Sequence, residues 1–293
     1  MDAAARHDLT DAQWGLLAPL LPIPPARGRP RVYPLRDMIN AVRWRTRVGA
    51  PWRDIPPHYG PWWRAYALYR AWQLAGVWER IEAALIAKAD AEGRVGWRVS
   101  VDSTTCRAHV HAAGARKESV PSRWRGNPRT TPWGPPGAAG RPKVHAATDA
   151  ACGMLAGVLT AGQAADGPMM IPVLDKIRVK RPAVGRPRTR PQMVLADKAY
   201  SSKGNRDWLR AHHIKATIPV KKDQAAHRKA HGTLGGKPPA FNPIAYKERN
   251  TVERCFGRLK QNRAMATRYD KLAVRYQATT HIASIDHWLK QLA

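Results

Sequence analysis

The chain reads as an α/β protein, a mixed sheet flanked by helices and preceded by a small all-helical N-terminal domain, and three observations predict it. Residues 9–95 carry apolar side chains at helical spacing with no strand pattern among them. From Gly96 onward, short apolar β-type runs alternate with helical stretches. Near the C-terminus a basic segment keeps helical spacing across fifteen residues, Tyr246–Lys260.

In the N-terminal region, residues 9–22 and 34–48 have helix-type spacing, with Thr10 or Asp11 as a cap before Trp14, Leu17, Leu20 and Leu21. Residues 61–90 form one or two more helices through Trp63, Tyr66, Leu68, Trp72, Trp78, Ile81 and Leu85. The expected division is therefore a helical DNA-binding domain over 1–95 and a second domain over 96–293. Between Arg27 and Arg70 stand ten Arg against two Asp, and Arg43, Arg45 and Arg47 are the candidate DNA contacts. Two readings stand side by side: a helix-turn-helix whose Trp62–Trp72 helix reads a groove, or an Arg-coated bundle that touches phosphates without sequence choice.

The second region opens with a strand over Trp97–Val101 that ends at Asp102. A basic, Pro- and Gly-rich loop over 107–141 follows, too polar to pack a core. Residues 143–148 and 154–160 read as a β-hairpin around Asp149, which is a turn residue, and Asp166-Gly167 reads as a loop or helix start. Then come a helix over 168–178, a strand over 192–197 that ends at Asp197, a short helix over 205–212 and a strand over 215–220. Another basic connection, 222–243, leads to the final helix. Three early strands, helix, strand, helix, strand, helix is the order of a ribonuclease-H-like fold.

The chemistry gathers on three acids. An acid at a strand end projects from the rim of a sheet, and neighbouring strands lie about 4.8 Å apart, so Asp102 and Asp197 can share a ligand. On the final helix, steps of four and seven residues stack Arg249, Glu253 and Lys260 on one face, with Tyr246 about 60° to the side. Taken alone, a Glu on a basic helix makes only surface ion pairs worth a few tenths of a kcal/mol. Joined to two strand-end Asp, it completes a set of hard oxygen ligands suited to Mg²⁺ or Mn²⁺ rather than zinc. Two such ions would clamp the attacking and leaving oxygens of a phosphodiester displacement.

These residues resemble a known family. Val101–His109 (VDSTTCRAH), Leu195–Tyr200 (LADKAY) and the Tyr246–Lys260 spacing, running on into Arg263–Lys271, are similar to the DDE transposases of bacterial insertion sequences, nearest the insertion-sequence-five branch. Leu9–Trp14, Leu20–Pro22, Gly28–Arg31, Gly49–Asp54 and Tyr59–Trp62 resemble that family's N-terminal region, so the likeness spans nearly the whole chain. It implies a ribonuclease-H-like domain, Asp102, Asp197 and Glu253 as catalytic and metal-binding acids, and Tyr246, Arg249 and Lys260 as signature residues on DNA. It also implies cleavage at element ends followed by transfer of the freed 3′-hydroxyl to target DNA. One stretch departs from the pattern: Gly134–His145 is shorter and poorer in Ser and Arg.

Composition points the same way without the resemblance. Lys plus Arg number 50 against 21 Asp plus Glu, a formal charge of +29, which favours a polyanionic partner. No run of some 18 apolar residues and no secretory leader is visible, so double-stranded DNA is expected rather than a membrane, in a cytoplasmic, nucleoid-associated setting. The three cysteines, without zinc spacing, read as buried reduced residues. His109, His111 and His145 lie near the first acid, Trp124 and Trp133 among the loop's cations as candidates for base stacking, and Gly257 one turn beyond Glu253. A homodimer or larger assembly is expected, since two DNA ends must be joined in one event. Two other functions fit the same residues: a metal-dependent nuclease without strand transfer, and a non-catalytic basic DNA-binding protein.

Overall fold

A computed structural model of the chain describes residues 7–23, 32–113 and 141–293; Gly28–Arg31, Trp124, Trp133 and most of the 107–141 loop lie outside the described residues. The helices are α1 (Asp11–Leu17), α2 (Leu35–Val48), α3 (Trp62–Leu74), α4 (Val77–Ala91), α5 (Val110–Ala113), α6 (Met170–Asp175), α7 (Lys203–Ala211), α8 (Lys222–Ala230), α9 (Pro243–Tyr246), α10 (Asn250–Lys260), α11 (Arg263–Ala266) and α12 (Ala273–Leu292). The strands are β1 (Arg98–Thr105), β2 (Arg107–Ala108), β3 (Pro142–Thr148), β4 (Met154–Ala161), β5 (Met193–Ala196), β6 (Lys215–Thr217) and β7 (Thr267–Arg268). None of the described helices is long and apolar enough to cross a membrane.

The chain divides into two compact units, Met1–Ala89 with Thr105–Pro142 and Gly257–Ala293, and Asp90–Thr104 with Lys143–Phe256. The break near residue 90 falls close to the expected boundary at 95, but the C-terminal segment groups with the N-terminal helices. The helical unit thus includes α12, a helix absent from the sequence reading. Its core joins Ile39 and Val42 of α2, Tyr69 and Trp72 of α3, Ile81 and Leu85 of α4, and Tyr276, Ile282, Trp288 and Leu289 of α12, all buried. α1 opens with the expected Thr10 cap, a full capping box with Gln13. α2 stops at Gly49, whose φ of +73° favours glycine and whose added Cβ would lie 2.9 Å from the Arg263 Cβ.

The other unit is built on a five-stranded sheet in the order β4-β3-β1-β5-β6. β1 pairs in parallel with β5, and β5 with β6. β3 and β4 are neighbours joined by only residues 149–153, too short for a crossover, so they form the expected hairpin and the sheet is mixed. Third, second, first, fourth, fifth strand is the ribonuclease-H-like order, so the fold expectation holds. Asp149 holds the hairpin turn, accepting hydrogen bonds from the Ala151, Gly153 and Gly96 amides at 3.0, 2.6 and 3.2 Å. The apolar residues that predicted the strands, Val99, Val101, Val144, Val194 and Leu195, are all buried.

Candidate active site on the sheet rim

The register of β1 and β5 sets the two aspartates side by side. Val101 pairs with Ala196, so Asp102 and Asp197 are the next positions on adjacent parallel strands. Asp197 follows the last residue of β5, whereas β1, expected to end at Asp102, runs on past it to Thr105. Asp102 Oδ1 accepts from the Ser103 amide at 2.7 Å, and Asp197 Oδ1 accepts from the Ala199 amide at 2.8 Å, capping a short 3₁₀ turn over Lys198–Tyr200. Local backbone donors thereby fix one oxygen of each.

Glu253 arrives on α10. The helical run expected over Tyr246–Lys260 is broken into α9, a 3₁₀ turn over Lys247–Arg249, and α10, so the regular phase starts only at Asn250. Arg249 and Glu253 remain neighbours across that junction. The Arg249 guanidinium bridges two acids, donating through Nη1 to Asp102 Oδ2 at 3.0 Å and through Nη2 to Glu253 Oε1 at 2.5 Å. Its Cζ also lies 6.0 Å from the centroid of the Tyr246 ring, which packs against Phe241 at 5.2 Å. Behind the sheet rim, Ser100 Oγ and Thr251 Oγ1 share a buried hydrogen bond of 3.0 Å that ties β1 to α10.

The electrostatics follow from this crowding. Burial raises the Asp102 carboxyl above its ordinary value, and the charges of Asp197 and Glu253 add to the rise, while the Ser103 amide and Arg249 oppose it. For Arg249, burial works against the charge but the Glu253 hydrogen bond, Tyr246 and Asp102 outweigh it, holding the guanidinium above its usual value. Tyr200, buried beside Asp102, Asp166 and Asp197, is pushed up by burial first and then by those three charges. Asp102 and Glu253 hold one arginine between them, with Asp197 at the next position on the adjacent strand, a hard-oxygen donor set that fits a divalent ion chemically. Even so, among the described residues no three His, Cys, Asp or Glu side chains stand together as a ready ligand group.

Asp166, expected only as a loop residue, extends the acidic rim. It accepts from Ser103 Oγ at 2.7 Å and from Lys143 Nζ at 3.0 Å. Burial works to raise its pKa, but those two hydrogen bonds and the Lys143 charge bring it below the ordinary value. His145 stands 3.7 Å from Asp166 and hydrogen-bonds Thr160 at 2.8 Å, yet burial drives its pKa down to about 4, so the ring is neutral near pH 7. Nothing in the sequence marked this linkage, since Ser103 and Asp166 lie 63 residues apart.

In the helical unit, Lys260 Nζ donates to the Thr105 carbonyl at 3.1 Å. His109 and His111 meet edge to face there, their ring centroids 4.5 Å apart, and His109 also packs at a tilt against Tyr269. Two of the three α2 arginines are not where DNA contacts were expected. Arg43 is buried and bonds Asp286 at 2.6 Å; Arg45 is buried, 3.7 Å from Asp270, with its Cζ 5.0 Å from the centroid of the Trp52 ring. Their α2 face turns into the core, where α12 and its approach supply the matching acids. Arg47, half-buried, lines a cavity of about 350 Å³ with Arg258, His287 and Lys290, and stays a candidate for phosphate contact. The three cysteines are free and buried, as expected.

Comparison with known proteins gives matches along the chain. Residues 9–82 match a family model described as a putative transposase of the IS4/5 family, and residues 94–284 match the transposase DDE domain. A putative transposase for insertion sequence element IS402 of Burkholderia cepacia is 32% identical over 158 residues, 54% of this chain and 67% of that protein. An uncharacterised 16.2 kDa protein of the same element is 34% identical over 114 residues, 36% of this chain and 76% of that one. The uncharacterised protein y4sN of Sinorhizobium fredii is 37% identical over 94 residues, 31% of this chain and 71% of its own length.

Proposed function

The chain belongs to the DDE transposases of insertion sequences, and on that premise we propose that Asp102, Asp197 and Glu253 are the catalytic carboxylates of this DNA transposase. The enzyme depends on a divalent metal and acts on DNA. Our reading is that the metal is Mg²⁺ or Mn²⁺, two ions at a time, held by those three acids. Bound there, such ions supply positive charge to the attacking and leaving oxygens of a phosphodiester exchange. The substrates on this reading are the ends of its own element and then target duplex, with water as the first nucleophile and the freed 3′-hydroxyl as the second. No covalent protein intermediate is needed.

The observation that supports this most is the β1–β5 register, which aligns Asp102 with Asp197, together with the Arg249 bridge that ties Glu253 to Asp102. In the working complex, Arg249 would leave the carboxylates for a phosphate oxygen, a planar donor exchanging one oxyanion for another. Tyr246 would add a contact to the same DNA; in the helical unit, Lys260, Arg47 and the exposed Arg64 and Arg70 of α3 are candidate phosphate contacts. Residues 1–95 then serve DNA binding and 96–293 catalysis, in a dimer or larger assembly that holds two ends. Incubating the protein with duplexes of its element's ends and Mg²⁺ tests the assignment. Asp197→Asn is expected to abolish cleavage and strand transfer while binding the duplex as before. Mg²⁺-dependent cutting by that variant at the normal rate would refute it.

A further inference from the structure

The opposite edge of the same sheet carries a second charged feature. Arg98, Met193 and Lys215, the first residues of β1, β5 and β6, are aligned in register. Around them opens a cavity of about 680 Å³ lined by Arg98, Arg181, Arg188, Arg190, His213 and Lys215, with no carboxylate in its wall. Asp102 stands four residues further along β1, which at roughly 3.3 Å per residue puts it about 13 Å from Arg98.

The groove is built rather than incidental. Arg188 lies with its Cζ 3.8 Å from the centroid of the Trp97 ring, and its backbone exchanges two hydrogen bonds with Val179, at 2.9 and 2.7 Å, which pin the intervening turn. Two acids outside the wall reach in: Glu248 to Arg98 at 2.9 Å and Asp90 to Arg188 at 3.8 Å. Arg181, Arg190 and Lys215 stand exposed beside these pairs. Burial lowers the pKa of Arg188, Asp90 opposes that, and Arg181 adds a smaller lowering. Residues 178–190 hold six Arg or Lys and no acid.

We propose that this groove is a second DNA-binding site, taking the phosphodiester backbone of a duplex segment other than the one presented to the acids. The ligand is a polyanion because five guanidinium and ammonium groups converge against only two carboxylates, Glu248 and Asp90, at the groove's margin. It is backbone rather than base because charge, not a shaped apolar slot, lines the cavity. A second copy of the chain is a poor occupant, since the sequence has 21 acids to 50 bases. The proposal rests on the reading of the chain as a DNA-acting enzyme and adds a place where that DNA is held.

The test compares two charge-matched triple variants, both carrying Asp197→Asn so that no duplex is cut. One carries Arg181→Gln, Arg190→Gln and Lys215→Gln; the other carries Arg210→Gln, Lys222→Gln and Lys229→Gln on the exposed faces of α7 and α8. Duplex affinity is measured from 50 to 300 mM salt, with thermal melting to show that both fold. The groove variant is expected to lose roughly two to three from the slope of log K against log salt, at about 0.9 per phosphate contact, while the control keeps the parent slope. An unchanged slope in the groove variant, or an equal loss in the control, overturns the proposal. So does loss of self-association with an unchanged slope, which would make the groove a protein interface. If the parent itself shows no salt-dependent duplex binding, the transposase assignment falls as well; if it does, only the groove is at stake.

Discussion

Gly257 shows how a single residue can separate packing from function. A Cβ added there would meet nothing within 4 Å, so the helix does not need glycine to lie against the sheet. Glycine inside a helix costs about 1 kcal/mol relative to alanine, and here no contact of the fold offsets it. The reading left to test is close approach of a ligand backbone along the Glu253–Lys260 face. Gly257→Ala is therefore expected to stabilise the protein by up to about 1 kcal/mol, a rise of roughly 2–4 °C in melting temperature, while weakening binding of element-end duplex. Melting curves and a duplex titration of the same sample check both signs. Tighter or unchanged DNA binding in the alanine variant would return Gly257 to a neutral surface position.

At the scale of elements, the junction from α9 through the 3₁₀ turn to α10 decides how the acids are held before any metal arrives. Arg249 stands on that junction and is the cation that relieves repulsion between Asp102 and Glu253. Arg249→Gln should lower the melting temperature in chelator by a few degrees, since a charged hydrogen-bonded pair is worth about 1.5–3 kcal/mol. It should also enlarge the stabilisation that Mg²⁺ confers, because the ion then supplies the charge the arginine did. Equal Mg²⁺-induced shifts in parent and variant would mean that arginine and metal do not compete for these oxygens. The elements that frame this site were legible in sequence for a physical reason: Val99, Val101, Val194 and Leu195 are β-formers buried in a central sheet, and the acid after each run marks the rim. The break before Asn250 was not legible, because charge spacing fixes the phase of a helix but not its continuity. The basic groove was equally hidden, since its arginines come from separate segments and only the acid-free stretch 178–190 hinted at it.

At the scale of the whole molecule, folding units and functional regions do not coincide along the chain. α12 escaped detection because Thr279, Thr280, Ser284 and Asp286 are buried on it, diluting the apolar period that betrays a packed helix. Two of those positions meet α2 and α3: Asp286 pairs with Arg43, and Thr279, with the Arg275 carbonyl, meets the Tyr69 hydroxyl, while Thr280 bonds the Tyr276 carbonyl of its own helix. Without residues 257–293, the α2 face that carries Ile39 and Val42 would lose the helix that covers it, leaving apolar side chains against water at roughly 1.5–3 kcal/mol each, against a whole-domain stability of about 5–15 kcal/mol. The fragment 1–95, although it holds all of the first family match, is thus expected to lack a cooperative thermal transition and fixed aromatic packing. Joined through a flexible linker to 257–293, it should recover both, as read by near-ultraviolet circular dichroism and calorimetry. A sharp, calorimetrically two-state melt of 1–95 alone would show that the N-terminal helices close their own core and that the buried arginines find other partners.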